Sequence, residues 1–362
     1  MYNDDFLDKK LDERKDQNAF RSLMLSDDKI DFCSNDYLGI VHNGLLNNMH
    51  QNLSHGSTGS RLLTGNNHLA EQTEKLLADF HQGEAALIFN SGYDANVGLL
   101  SCIAQKGDTI LYDQLVHASI RDGIRLSFAQ AFSFAHNNSA DLEKKLSIAT
   151  GNIFVITEGV FSMDGDLCPL KELLTVVNNY QAHLIIDEAH AIGVIGEKGE
   201  GLAQSLHLHK QCFARVYTFG KACGCHGAVI VGSNRLKDYL VNFSRSLIFS
   251  TALPEVALQA IINSYEVFPL LLKERARLKI LIEQFQSAST RYTRLVSNTP
   301  IQGIVVPGNT EVKDMAATLL QNNFDVRPIL YPTVPKGKER LRIILHAYNS
   351  PQQLHQLLQL LS

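Results

Sequence analysis

Short apolar and β-branched runs, at residues 85–89, 109–113, 152–158, 183–188, 214–219 and 227–232, alternate with amphipathic stretches through the first two thirds of the chain. Uninterrupted runs of this kind suit strands buried on both faces. Their alternation with helical periodicity predicts repeated βα units around a mainly parallel sheet, an α/β fold. Between the runs, Leu69, Leu76, Leu77 and Phe80 fall on one helical face, and Leu142 and Leu146 on another whose start Ser139 can cap. Pro169 suits the first turn of a helix running toward Asn178.

After Pro254 the pattern becomes helical to about residue 288, with Leu and Ile interleaved with Arg and Lys. Beyond it come a strand at IQGIVVPG, a helix near 311–322, strands near FDVRPI and RLRIILHA, and a terminal Leu-rich helix, an order that makes a small α+β domain. The expected organisation is an N-terminal helix and extension over 1–40, a large domain over 41–255, a linker helix over 256–288 and a small domain over 289–362. The terminal leucines read as core packing.

A chain of 362 residues is long enough for such a division. Lys and Arg total 33 against 37 Asp and Glu, a net charge of -4, so no global basic field favours nucleic acid or an anionic membrane. No apolar stretch approaches the ~18 residues of a membrane span, and the mixed-charge N-terminal segment lacks the apolar core of a signal peptide. Six cysteines scattered at 33, 102, 168, 212, 223 and 225 suit a reducing cytoplasm. Cys223, Cys225 and His226 form a C-x-C-H cluster, but no second ligand pair with zinc spacing follows, and no metal is expected. The Gly-rich segments match neither a Walker loop nor a strand-to-helix G-x-G-x-x-G, which points to small-molecule chemistry outside the nucleotide folds.

The strongest chemical signal is TFGKACG, residues 218–224, at the end of a strand run. Small neighbours around Lys221 let a planar group approach its amine, as covalent capture of an aromatic aldehyde requires; the plainer meaning is a surface lysine in a turn. In HLIIDEAH, a strand ends in Asp187, with His190 three residues on. Strand C-terminal ends are where open α/β sheets bind ligands. A carboxylate there can pair with a pyridinium nitrogen: at ~4 Å and an effective dielectric of about 20 the pair is worth about 4 kcal/mol, roughly three pKa units. In SGYDAN, Gly92 and Tyr93 open a helix whose N–H groups can hold a phosphate. His117 begins the helix after the 109–113 strand and could stack on a ring. Ser162 and Glu158 lie in EGVFSMDGD. Singly, each has an ordinary reading as a cap, a core histidine or a polar loop.

Taken in this order, with NDYLG at 35–39, HGSTGSRLLTG at 55–65 and YPTVPKGKERLRI at 331–343, the segments resemble the α-oxoamine synthases, pyridoxal-phosphate enzymes of fold type I. The resemblance covers nearly the whole chain. It implies a large domain with a mainly parallel sheet, a small C-terminal α+β domain, a homodimer with shared sites, and decarboxylative condensation of an amino acid with an acyl thioester of CoA or acyl carrier protein. The fit looks closest to members that join L-alanine to a pimeloyl thioester on the way to biotin. Members using glycine or serine, fold-type I aminotransferases and a non-catalytic homologue are the alternatives.

The resemblance also implies roles. Lys221 would carry the cofactor and act as base; Asp187 would pair with the ring nitrogen; His117 would stack on the ring and assist catalysis; His190 and Ser162 would address its oxygen side. Gly92, Tyr93 and Thr218 would hold the phosphate, with Thr251 supplied across a dimer interface. Asn35 and Arg342 match positions near the amino-acid carboxylate, where a guanidinium fork suits bidentate binding. Arg21, Thr333 and His117 match positions facing the substrates. The C-x-C-H stretch and the short segment between Gly39 and Gly56 depart from the family pattern, which bears on cofactor packing and the acyl entrance.

Overall fold

The computed structural model describes residues 2–25, 28–47 and 53–362. By compactness the chain divides into one unit of Asp36–Ser162 with Leu167–Arg275, and another of Met1–Asn35, Met163–Asp166 and Ala276–Ser362.

The larger unit is built on seven strands: β1 (Ala85–Phe89), β2 (Thr109–Asp113), β3 (Gln130–Phe134), β4 (Ile153–Glu158), β5 (His183–Asp187), β6 (Ala214–Thr218) and β7 (Ala228–Gly232). They lie in the order β1-β7-β6-β5-β4-β2-β3. β7 runs antiparallel to both β1 and β6, and the other neighbouring pairs are parallel. The apolar runs became buried strands: Leu87, Ile110, Ile156, Ile185, Val216 and Ile230 share one buried cluster. The helix α1 (His68–Phe80) precedes β1, and between the strands run α2 (Gly92–Ile103), α3 (Ala118–Leu126), α4 (Ser139–Leu146) and α5 (Leu170–Asn179).

β3 was not expected, because its residues are exposed apart from Phe134, unlike β1 at the other edge, which is buried throughout. The cap of α4 is Asn138, whose Oδ1 accepts from the Asp141 N–H at 2.9 Å, with Ser139 already the first helical residue. The helical stretch after Pro254 is two helices, Glu255–Val267 and Leu272–Ser287, separated by a 3₁₀ turn at Phe268–Leu270. Pro269, which cannot donate an N–H inside a helix, sits in that turn.

In the smaller unit, β8 (Ile301–Val305), β9 (Arg327–Ile329) and β10 (Arg340–Ile344) form an antiparallel sheet with the short strand Thr293–Arg294. Helices Asn309–Gln321 and Pro351–Leu360 belong to the same unit. The expected single strand at FDVRPI is two pieces: Phe324–Asp325 pairs in parallel with Ile30–Asp31, while Arg327–Ile329 pairs with β10.

Candidate active site

β1, β2, β4, β5 and β6 all point the same way, so the segments leaving their C-terminal ends emerge on one side of the sheet. A cleft of about 270 Å³ opens there. Gly92, Tyr93, His117, Asp187, His190, Thr218 and Lys221, all singled out by sequence, line it together with Glu158, Asn96, Ser119 and His226.

At its floor, Glu158 and Asp187 stand opposite each other in the β4–β5 register. The Asp187 carboxylate is buried and anchored through both oxygens: Asn96 Nδ2 donates to Oδ2 at 2.7 Å, and the Ala189 N–H to Oδ1 at 2.9 Å. Asn96 Nδ2 also lies 3.0 Å from Ser119 Oγ. Burial and then the charge of Asp187 push Glu158 up from its ordinary value of 4.5 to about 8, so it keeps its proton at neutral pH. Its Oε1 accepts the His117 N–H at 2.5 Å.

His117 is the N-cap of α3, and its Nδ1 accepts from the Ser119 N–H at 3.2 Å. With Nδ1 an acceptor, the ring proton of the neutral imidazole belongs on Nε2. Burial, aided by the Lys221 charge and opposed by that of Asp187, holds this imidazole below the ordinary histidine range. His190 is buried with its Nδ1 2.6 Å from the Tyr37 hydroxyl.

Lys221 opens the turn that joins β6 to β7. The Gly224 N–H donates to the Lys221 carbonyl at 2.9 Å, and Gly224 adopts the left-handed φ of +63° that the turn needs. The Cys225 N–H to Phe219 carbonyl bond (2.7 Å) and the Phe219 N–H to Gly227 carbonyl bond (2.9 Å) close the hairpin beneath it. The Cys225 thiol points away, donating to the carbonyls of Cys223 and Ala260 at 3.2 Å each.

At the end of the cleft near α2, Ser91 caps the helix by accepting the Asp94 N–H at 3.1 Å. The Gly92 and Tyr93 N–H groups, in the first turn, lie beyond the reach of intrahelical acceptors. A Cβ on Gly92 would collide with the Thr218 methyl. The Thr218 hydroxyl is buried without a hydrogen-bond partner among the described residues. Two orphan N–H groups and an orphan hydroxyl around a glycine-sized gap form a cradle for an anion such as phosphate. Lys221 and the Asp187 carboxylate line the same cleft. These donors and acceptors fit pyridoxal phosphate.

Two residues assigned to the cofactor by sequence are not among the cleft's lining. Ser162 lies in the segment closed by the Val160–Leu167 bridge. Thr251 is exposed, its carbonyl accepting from Asn90 Nδ2 at 2.8 Å. Apart from His117, the substrate candidates lie in the smaller unit as two pairs. Arg342 Nη2 donates to Asn35 Oδ1 at 3.0 Å, and Arg21 Nη2 to Thr333 Oγ1 at 3.1 Å. Arg21 and Thr333 line a cavity of about 600 Å³ whose other walls are mostly apolar, with Arg14, Lys313, Asp325 and Arg327 the remaining charged residues of its lining.

Asn96, Ser119 and Tyr37 went unassigned in the sequence. Asn96 could have been found four residues after Gly92, on the same face of the helix, and Ser119 from its place two residues after a helix-starting histidine. Tyr37 lies in the NDYLG segment, but nothing in the sequence tied it to His190, far along the chain.

The profile of the family described as aminotransferase class I and II matches residues 27–361. Among curated relatives, the 8-amino-7-oxononanoate synthase of Emericella nidulans is 36% identical, the match covering 98% of this chain and 94% of the relative. A solved structure of SPT with PLP as an internal aldimine superposes with a TM-score of 0.83 at 28% identity, over 92% of this chain and 86% of that one. The 8-amino-7-oxononanoate synthase of Francisella tularensis gives a TM-score of 0.77 at 31% identity, over 92% and 97%.

Proposed function

Because the chain belongs to the aminotransferase class I and II family, we propose that it is a pyridoxal-phosphate acyltransferase of the α-oxoamine synthase type, condensing L-alanine with a pimeloyl thioester to 8-amino-7-oxononanoate in biotin synthesis. What carries this reading is the meeting of Lys221, Asp187, His117 and Thr218 in one cleft, in a chain whose near-full-length relative is an enzyme of that name. The alanine α-carbon bonds to the acyl carbonyl carbon as the C–S bond breaks and the thiol leaves. The carboxylate then departs as CO2, and a proton returns to the α-carbon.

When bound, pyridoxal phosphate supplies an aldehyde that links to amines and a cationic ring that draws off the electrons left on the α-carbon. Lys221 Nζ would hold the cofactor and would remove the α-proton of the amino acid. Asp187, held by Asn96 and the Ala189 N–H, keeps the ring nitrogen protonated. His117 stacks on the ring, and its Nε2–H is suited to donate to the oxyanion that grows on the thioester carbonyl. Tyr37 fixes the tilt of His190, which with Ser162 addresses the ring's oxygen side. Gly92, Tyr93 and Thr218 take the phosphate, and Thr251 of a second copy completes the ring of donors in a homodimer.

Asn35 and Arg342 take the amino-acid carboxylate, while Arg21 and Thr333 take the acyl chain in their largely apolar cavity. Either CoA or an acyl carrier protein can present the thioester. A cytoplasmic setting fits six free thiols. Residues 41–255 form the cofactor-binding part and residues 289–362 the small domain.

Thiol release tests the reading. With pimeloyl-CoA the protein should release thiol and CO2 in step when given L-alanine, and far more slowly with glycine or serine paired with acetyl-, succinyl- or palmitoyl-CoA. Faster turnover of glycine or serine, or amino transfer to a keto acid without thiol release, would refute it.

A further inference from the structure

The hairpin after Lys221 brings a side chain to the cleft that the reaction above does not use. Phe89 on β1 and Thr218 on β6 both pair with Ala228 on β7. Ser91, two residues beyond Phe89, and His226, two residues before Ala228, therefore leave the sheet at the same end, and both line the cleft with Gly92, Thr218 and Gly220. The backbone approach is close: a Cβ on Gly227 would fall 3.1 Å from the Phe89 carbonyl oxygen, and Gly227 holds a φ of +109°. His226 is exposed at the cleft.

The anion cradle beside it is short of positive charge. Among the described residues that line the cleft there is no arginine, and Lys221 is the one lysine; its amine is committed to the aldehyde. The His117 imidazole is engaged through Nδ1 by Ser119, and the His190 imidazole through Nδ1 by Tyr37. The cradle's own donors, the Gly92 and Tyr93 N–H groups and the Thr218 hydroxyl, are neutral. A phosphate dianion held by neutral donors gains from a further N–H, and most from a cationic one.

We propose that His226 is an additional cofactor ligand, its imidazole donating to the phosphate of pyridoxal phosphate beside Gly92, Tyr93 and Thr218. This rests on the pyridoxal-phosphate reading of the cleft and adds to it. It gives the last residue of the C-x-C-H cluster a role, while Cys223 and Cys225 stay in packing, their thiols pushed up by burial, that of Cys225 to about 12.

Equilibrium dialysis with two probes isolates the contact: pyridoxal 5'-phosphate, and pyridoxal, which has the aldehyde and ring but no phosphate. Relative to the unsubstituted protein, His226→Ala should weaken binding of the phosphorylated probe about tenfold, the usual scale for a hydrogen bond to a charged group, and leave pyridoxal unchanged. His226→Gln, which keeps a neutral N–H donor and a similar size, should fall between the two and decides the matter should the alanine variant fold poorly. Equal weakening of both probes would mean that His226 only shapes the cleft. Unchanged affinity for the phosphorylated probe would mean no contact. Either result overturns the proposal. If the unsubstituted protein bound neither probe, the cofactor reading itself would fall.

Discussion

Glu158 and Asp187 stand side by side at the ends of adjacent buried strands, where two negative charges so close together are costly. Burial and the Asp187 charge resolve the conflict by leaving Glu158 protonated up to about pH 8. In the cofactor-free protein this makes stability depend on pH. An unfolded chain releases this proton near 4.5, whereas the folded protein keeps it to about 8. The contribution is therefore complete below 4.5 and is lost as pH rises toward 8, at most on the order of 1 kcal/mol per pH unit. Glu188, raised by burial to about 7 while accepting from the Leu202 and Ala203 N–H groups, adds the same trend over a narrower window. Glu158→Gln, which retains an acceptor for the His117 N–H, should flatten the decline, seen as a smaller drop in melting temperature between pH 5 and 8. An unchanged slope would mean that Glu158 is ionised like an ordinary surface carboxylate. Glu158 and Asp187 were singled out in the sequence, but the protonation of Glu158 was not legible there, because it follows from register and burial.

Among the elements, the start of α2 against the end of β6 does most to shape the cleft. Gly92 leaves space for the Thr218 methyl, which a Cβ would enter. Gly92→Ala should cost about 1–3 kcal/mol, as overpacking does, and should weaken cofactor binding. Adding Thr218→Ser, which removes the methyl and keeps the hydroxyl, should recover much of both in melting temperature and dialysis. No recovery would show that the clash is not the cause. The interior strands were readable because residues such as Leu184, Ile185 and Ile186 are buried and announce it in an unbroken apolar run. The edge strand β3, exposed along most of its length, gave no such run. The 3₁₀ break after Val267 was hidden by a leucine pattern that continues on both sides of Pro269.

Across the larger unit, the parallel strands gather residues from five widely separated segments at their C-terminal ends, so the cleft's chemistry belongs to the fold and not to any single motif. Sequence reading reached most of its lining because each motif sits just past a strand end. It missed Tyr37 and Asn96, whose roles are to hold His190 and Asp187 in place and which carry no chemistry of their own. The proposed function turns on the lysine to which the cofactor attaches. That is tested most directly by reducing the cofactor-loaded protein with borohydride and mapping the adduct by peptide mass spectrometry. The expected result is a single pyridoxyl-phosphate adduct on the peptide containing Lys221, absent from Lys221→Ala. A stoichiometric adduct on another lysine, or none at saturating cofactor, would contradict it.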